Sequence, residues 1–517
     1  MAELLCGVDL GTTGTRAVLY RVDGTPVAEA SRDTPLRWQG PGRVDQDPDD
    51  FVAAALEAIA DCVRRAEVPP GDVAAIGVSG QMAGILGMGA DGTASTPYDS
   101  WLDIRCAGEL AELDRAHGDA LVRVGGCPPM VNHAPKLRWW RRHRREAFDA
   151  TVRWVMPAGY VASRLAGLRP DEAFIDVTYL HFTGLADARA GAWSEELCAA
   201  LEVPMARLPR IVEPATVVGA LTAEAADASG LSRGTPIAAG LGDTAASALG
   251  AGIVRPGQLL DVAGTAAVLA VSTDRFVPDE RSRTLIAMRG AVAGQWIWLS
   301  FLSGGSLLPW LSEVLAGGAG GAGADGEGFA SLTAEAAGAP VGSAGLVFVP
   351  HLDGRLLPSD AALRGAWLGL HRDHRRPHLV RAVLESVAYE YAGYLRAVTA
   401  LDPSYAATAG HVVGGGARSA VWNAIKASVL GVPLHGLVRE ELTCWGAALV
   451  AGAAVGLVDD LAAAATAGTV VARRYEPVPL EHATYREYES VYRDAVSAAA
   501  SVSGRLSALA AEGEVRE

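Results

Sequence analysis

Asp9-Leu10-Gly11-Thr12-Thr13-Gly14-Thr15-Arg16 holds the residue types of an anion cradle. Glycine lets an anion approach backbone N–H groups, threonine adds hydroxyl donors, and arginine adds a positive fork. Asp9 can hold Mg²⁺ beside that anion, directly or through water. A hairpin turn with an Asx cap reads the same way, so the stretch alone leaves both open. A second stretch, Ala239-Gly240-Leu241-Gly242-Asp243-Thr244-Ala245, puts an acid just after an apolar run. There the Asp243 carboxylate can face an open cleft and take a proton from a hydroxyl nucleophile. It can equally cap a helix starting at Thr244. In a third, Gly414-Gly415-Gly416-Ala417-Arg418-Ser419, the glycines let a flat ring and phosphates lie against the backbone, or simply make a βα turn.

Two familiar nucleotide motifs are excluded. A Walker A loop needs Gly-Lys-Ser/Thr, and the two lysines, Lys136 and Lys426, follow Pro135 and Ile425. The first glycine turn leads into a strand pattern, not the helix of a dinucleotide fold. His371, His374 and His378 lie in an arginine-rich run, HRDHRRPH, whose charge opposes a metal. RWWRRHRR at 138–145 reads as a solvated helix face with its tryptophans inward.

The elements that must position these residues alternate between strand and helix, so the class is α/β. Leu4 to Tyr20 reads as a hairpin around the glycine turn, followed by a strand at 26–30. A helix is expected over 47–67, started by Asp47-Pro48-Asp49, and a buried parallel strand over 73–78. The pattern resets near 236: a strand over 236–241, a turn at Gly242-Asp243, a small-residue helix, then a hairpin around Ala263-Gly264-Thr265. That hairpin echoes the first about half a chain length later, which suggests two related halves. The spacing further predicts a mobile loop over the Gly/Ala-rich 316–328, a long helix over 374–402, and an Ala-rich helical tail.

The chain has 517 residues, 59 acids against 44 bases and a net charge of −15, which argues against nucleic-acid or anionic-membrane surfaces. Its length fits two large domains or about three ordinary ones. Six scattered cysteines without a C-x-x-C pair read as reduced thiols of a cytoplasmic protein. The opening segment, with Glu3 and no basic residue before a short apolar run, is expected to be a strand and not a signal peptide. No apolar run reaches the length of a membrane span.

Nine motifs occur in order: DLGTTGTR (9–16), SGQM (79–82), WLDIR (101–105), APKLRW (134–139), GLGDTA (240–245), AGT (263–265), SGGSLLPW (303–310), GGGARS (414–419) and WGAA (445–448). Over residues 4–455 this resembles the FGGY carbohydrate kinases, especially their xylulokinase-like branch. The resemblance implies two actin-like (ribonuclease-H-like) domains with a cleft between them. It implies an N-terminal domain over 1–250, a nucleotide-binding domain over 251–470 and a helical tail over 471–517. It implies ATP and Mg²⁺, transfer of the γ-phosphate to a ketose or polyol, most simply a pentulose such as xylulose, and a chain that can pair with a second copy. By the same resemblance, Asp243 is the catalytic base and, with Asp9, meets Mg²⁺. Thr12, Thr13, Arg16, Gly264 and Thr265 meet the phosphates, and Gly305, Gly415, Gly416 and Ala417 line the nucleotide. Gln81, Met82, Ala83, Trp101 and Asp103 line the sugar pocket together with Asp243.

The departures from the family pattern cluster on the sugar side. Many xylulokinases read Q-M-H-G where this chain has Gln81-Met82-Ala83-Gly84, so a histidine contact to the sugar is missing. The W-N-D-x-R motif has become Trp101-Leu102-Asp103-Ile104-Arg105, and S-G-E-R-T-P has become Asp353-Gly354-Arg355-Leu356-Leu357-Pro358. A site built to bond one hydroxyl discriminates strongly, so another acceptor (ribulose, gluconate, glycerol or another polyol) stands beside xylulose. A sugar- and ATP-binding sensor of the same fold is the alternative outside catalysis.

Overall fold

The computed structural model describes residues 4–264, 266–304, 307–315 and 326–514. In the first half, strands β1 (Leu4–Leu10), β2 (Gly14–Arg21) and β3 (Pro26–Asp33) form an antiparallel meander. Helix α1 (Pro48–Ala66) follows, with Asp47 as N-cap accepting from Asp49 N at 3.1 Å and Glu67 closing it in the left-handed region. Its buried face, Phe51, Ala55, Ile59 and Cys62, has the helical spacing that predicted it. Strand β4 (Val73–Gly80) then lies parallel to β1. A lobe covering roughly the next 130 residues carries helix α2 (His133–His143), which turns Trp139 and Trp140 into a separate apolar core and leaves Arg142 and His143 exposed. Strands β5 (Val217–Ala220) and β6 (Pro236–Gly242) complete a six-stranded sheet of order β5-β6-β4-β1-β2-β3. Helix α3 (Asp243–Gly250) leaves β6 directly.

The second half repeats the plan. Strands β7 (Gln258–Ala263), β8 (Ala267–Thr273), β9 (Ile286–Arg289) and β10 (Trp296–Leu302) precede the long helix α4 (Arg376–Leu401). Strands β11 (Ala409–Val413) and β12 (Leu434–Leu437) follow, then helix α5 (Leu442–Ala454) and strand β13 (Val471–Tyr475). The sheet order is β9-β10-β8-β7-β11-β12-β13. With β9 set aside, each position matches one in the first sheet, including the parallel run beside the leading hairpin and the antiparallel strand at the far edge. The echo between the two glycine turns is therefore an echo of whole domains: two actin-like α/β units.

Two expectations are corrected. The tail is not helical from 471, because β13 pairs with β12; helix α6 (Pro479–Glu514) begins later and buries Tyr485, Tyr492 and Val496 in the second domain's core. The loop expected over 316–328 ends sooner, since a helix spans Gly326–Glu335; residues 316–325 lie outside the described residues. His371, His374 and His378 sit in and just after the turn leading into α4, where His374 Nδ1 and His378 Nδ1 accept backbone N–H bonds from His371 and Arg375. All six cysteines are free and buried.

Helix α5 follows the second domain's strands yet packs on the first sheet. A Cβ on Gly7 would lie 1.9 Å from the Cys444 carbonyl oxygen, and one on Gly77 2.1 Å from that of Ala447. One on Gly446 would lie 2.1 Å from the Ala246 carbonyl. Only glycine admits this contact, which fixes α5 against β1, β4 and α3.

Candidate active site

Asp9 stands near the end of β1 and Asp243 directly after β6. Strand β4 lies between them and is parallel to both, with Ser79 in register with Asp9 on one side and Leu241 on the other. Both acids therefore emerge at the carboxyl ends of the two parallel strands that flank β4. Gly240 adopts φ +75°, and a Cβ there would sit 1.8 Å from the Val78 carbonyl. The resulting register shift between Ala238 and Leu241 aims Asp243. Gly242 N donates to Thr178 Oγ1 at 2.9 Å, and Tyr179 Oη donates to the carbonyls of Gly80 and Leu241 at 3.0 and 3.3 Å. These bonds clamp the strand ends together.

The helix N-cap is Gly242, and Asp243 is the first helical residue, which corrects the capping alternative. Its Oδ1 accepts from Thr244 N at 2.6 Å and Thr244 Oγ1 at 3.2 Å. Burial pushes the Asp243 carboxyl up to about 6, against the pull of the Thr244 donors. Burial and then the Asp243 charge push Asp9 up to about 7, against Arg16. Asp9 Oδ1 is buried and has no hydrogen-bond partner among the described residues. Two repelling carboxylates, one with an unused oxygen, form a donor set suited to a hard cation.

The first glycine turn is closed by Gly11 N donating to Gly14 O at 3.0 Å. Thr13 is exposed and Thr12 half-buried. Gln81 N donates to Leu10 O at 3.0 Å, and its side-chain Nε2 to Gly11 O at 3.3 Å and Gln46 Oε1 at 3.1 Å. Gln46 Nε2 donates in turn to Thr12 O at 3.0 Å. Trp101 Nε1 donates to Thr12 Oγ1 at 3.0 Å. Two residues expected on the sugar thus brace the loop expected on the phosphates. Arg16 pairs with Glu441, from the segment just before α5.

Met82 packs over Gly242, where an added Cβ would lie 2.5 Å from Met82 Cε. Ala83 is buried and takes φ +63°, unusual for a residue with a side chain. Asp103 is fully buried, and its carboxylate accepts from Val44 N at 2.6 Å and from Arg105 N and Nε at 3.0 and 2.8 Å. Lys136 Nζ donates to the carbonyls of Ser100 and Asp103 at 2.6 and 3.1 Å. Asp103 therefore holds the turn that carries Trp101.

In the second domain Gly264 N donates to Ala266 O at 3.1 Å; Thr265 and Gly305 lie outside the described residues. Gly414 adopts φ +77°, and its Cβ would sit 2.8 Å from the Ala263 carbonyl; that of Gly416 would sit 2.4 Å from Ala263 Cβ. The GGG turn is thus pressed against the residue before Gly264. Gly415 and Ala417 line a cavity of about 390 Å³ with Val413, Leu437, Arg439 and Glu441. Gln46, Thr178, Tyr179 and Glu441 belong to none of the sequence motifs; each is placed by tertiary contact alone.

The N-terminal-domain model of the FGGY family of carbohydrate kinases matches residues 4–250, and its C-terminal-domain model matches residues 259–455. The xylulose kinase of Bacillus subtilis is 26% identical over 464 residues, covering 89% of this chain and 90% of the relative. The structure of the xylulose kinase from Rhodospirillum rubrum superposes with a TM-score of 0.87 at 31% identity, covering 96% of this chain and 99% of that one. A gluconate kinase from Lactobacillus acidophilus superposes with a TM-score of 0.89 at 25% identity, covering 97% and 99%. The chain belongs to the FGGY family of carbohydrate kinases.

Proposed function

We propose that this chain is an ATP-dependent carbohydrate kinase whose acceptor is a ketose, first a pentulose such as xylulose. The observation that carries the reading is the pair Asp9 and Asp243 at the carboxyl end of one sheet, beside a braced glycine turn. The acceptor hydroxyl would lie against Asp243. Its oxygen attacks the γ-phosphorus, the bond from that phosphorus to the bridging oxygen breaks, and ADP leaves with that electron pair. Asp243 takes the hydroxyl proton. Backbone N–H groups of the first turn, Thr12, Thr13 and Arg16 hold the phosphates from one domain, and Gly264 and Thr265 from the other. Gly305, Gly415, Gly416 and Ala417 line the nucleotide in this reading.

Asp9, with Asp243 beside it, would hold Mg²⁺, which when bound neutralises charge on the phosphate oxygens. The unpartnered Oδ1 of Asp9 supports that fit. Mg²⁺ bound through one or two carboxylates plus phosphates needs no larger cluster of protein ligands. Among the described residues no helix is long and apolar enough to cross a membrane, in keeping with a cytoplasmic enzyme.

Gln81, Met82, Ala83, Trp101 and Asp103 form or support the sugar side. Ala83 offers no hydrogen bond where many xylulokinases carry histidine. That favours a second reading, in which a sugar acid or another polyol is the acceptor. A coupled ADP-release screen over pentuloses, hexuloses, polyols and aldonates tests both. The expected result is acceptor-dependent ADP, strongest with one class. Ligand binding without acceptor-stimulated ADP would overturn the kinase reading in favour of a sensor.

A further inference from the structure

Arg16 has two carboxylates within its reach. Asp9 is its direct partner across the β1–β2 ladder, so the two side chains share a face. Glu441 comes from the other end of the chain. The guanidinium pairs with Glu441 and leaves Asp9 Oδ1 without a hydrogen-bond partner among the described residues. One cation between two anions is thus committed to the more distant one in sequence.

Glu441 is held firmly. Its backbone carbonyl accepts from Tyr20 Oη at 3.1 Å. Two residues earlier, Arg439 donates to Gly24 O at 2.6 Å and lies over the rings of Tyr20 and Trp445, 5.2 and 4.8 Å from their centroids. The helix that follows is locked on β1 and β4 by the glycine contacts at Gly7 and Gly77. The carboxylate is therefore presented by a rigid segment. The Arg16 side chain keeps 43% of its surface exposed, and among the described residues Glu441 is its one ion-pair partner. Glu441 also lines the cavity that Gly415 and Ala417 share.

We propose that Glu441 is a positioning residue for the phosphate-binding turn: it holds the Arg16 guanidinium toward the nucleotide and keeps it off Asp9. The proposal rests on the kinase reading. Without the Glu441 charge, the carboxylate that faces Arg16 across the β1–β2 ladder is Asp9. That pairing would draw the cation away from the phosphates and occupy the oxygen that a divalent ion needs.

The test is a double-mutant cycle on Glu441→Gln and Arg16→Gln. It reads the calorimetric Kd of a non-hydrolysable ATP analogue with Mg²⁺ and no sugar, and the KM for ATP. Glu441→Gln is expected to weaken the analogue about tenfold, the scale of a charge-assisted bond. In the Arg16→Gln background the same change is expected to cost less than about twofold, because Glu441 acts through Arg16. Glu441→Asp, which keeps the charge, recovers part of the loss. Equal losses in both backgrounds, or Glu441→Asp no better than Glu441→Gln, would show a merely structural role and overturn the proposal. Analogue binding by Glu441→Gln equal to wild type overturns it alone. A wild-type chain that binds no nucleotide overturns the kinase reading and this inference with it.

Discussion

Trp101 Nε1 donates a 3.0 Å hydrogen bond to Thr12 Oγ1, so an aromatic residue proposed for the sugar side holds the turn proposed for the phosphates. Trp101→Phe keeps the ring and removes the donor. One hydrogen bond is worth about 0.5–1.5 kcal/mol, so the KM for ATP should rise about two- to tenfold in initial-rate measurements. If only the acceptor KM moves, the link between the two sides is not energetic.

The raised carboxyl of Asp243 makes both activity and stability depend on pH. As the proposed base it must be ionised, so kcat/KM for the acceptor should fall in acid, with the limb at about pH 6 or below it when Mg²⁺ is bound. Its folded value of about 6 lies above the ordinary 3.8, so the ionised form is disfavoured by folding. That cost is absent in strong acid, sets in as pH rises past the ordinary value, and is complete above about pH 6. Without Mg²⁺, Asp243→Asn should therefore gain about 2 kcal/mol on wild type between about pH 4 and 7.5 in urea unfolding. A stability difference that ignores pH would contradict the burial of this charge.

Gly77→Ala places a Cβ 2.1 Å from the Ala447 carbonyl. Neither β4 nor α5 can yield without shifting the other. Unfolding free energy should drop by about 3 kcal/mol, read by denaturant titration. A change under about 0.5 kcal/mol would mean that α5 does not pack this closely.

Much of the fold was legible in the sequence, and the limits have physical causes. Asp47-Pro48-Asp49 and the apolar spacing of Phe51, Ile59 and Cys62 announced α1 because cap and periodicity agree. The two glycine hairpins showed the duplication because each turn requires the same small residues. Strand β13 was missed: it carries Ala472-Arg473-Arg474, an edge strand whose partner β12 alone defines it. The WLDIR motif marks Asp103, but that its carboxylate bonds Val44 and Arg105 is something no local pattern reveals. Glu441 reaches Arg16 across more than four hundred residues, beyond any window.

Ala83 occupies a left-handed position beside Met82, where many xylulokinases place histidine. Ala83→His should raise kcat/KM for xylulose over non-pentulose acceptors about tenfold, in competition assays. An unchanged ratio would move the source of acceptor choice away from this position.

Asp243→Asn isolates the proposed base, with phosphoryl transfer and nucleotide binding measured on the same preparation. The substitution keeps the shape and removes the base. Acceptor-dependent ADP release should fall about 10²–10⁴-fold, while the Kd for an ATP analogue measured without Mg²⁺ stays within about threefold and the fold is retained. Turnover above about a tenth of wild type would rule out Asp243 as the base, because the proton would then leave by another group.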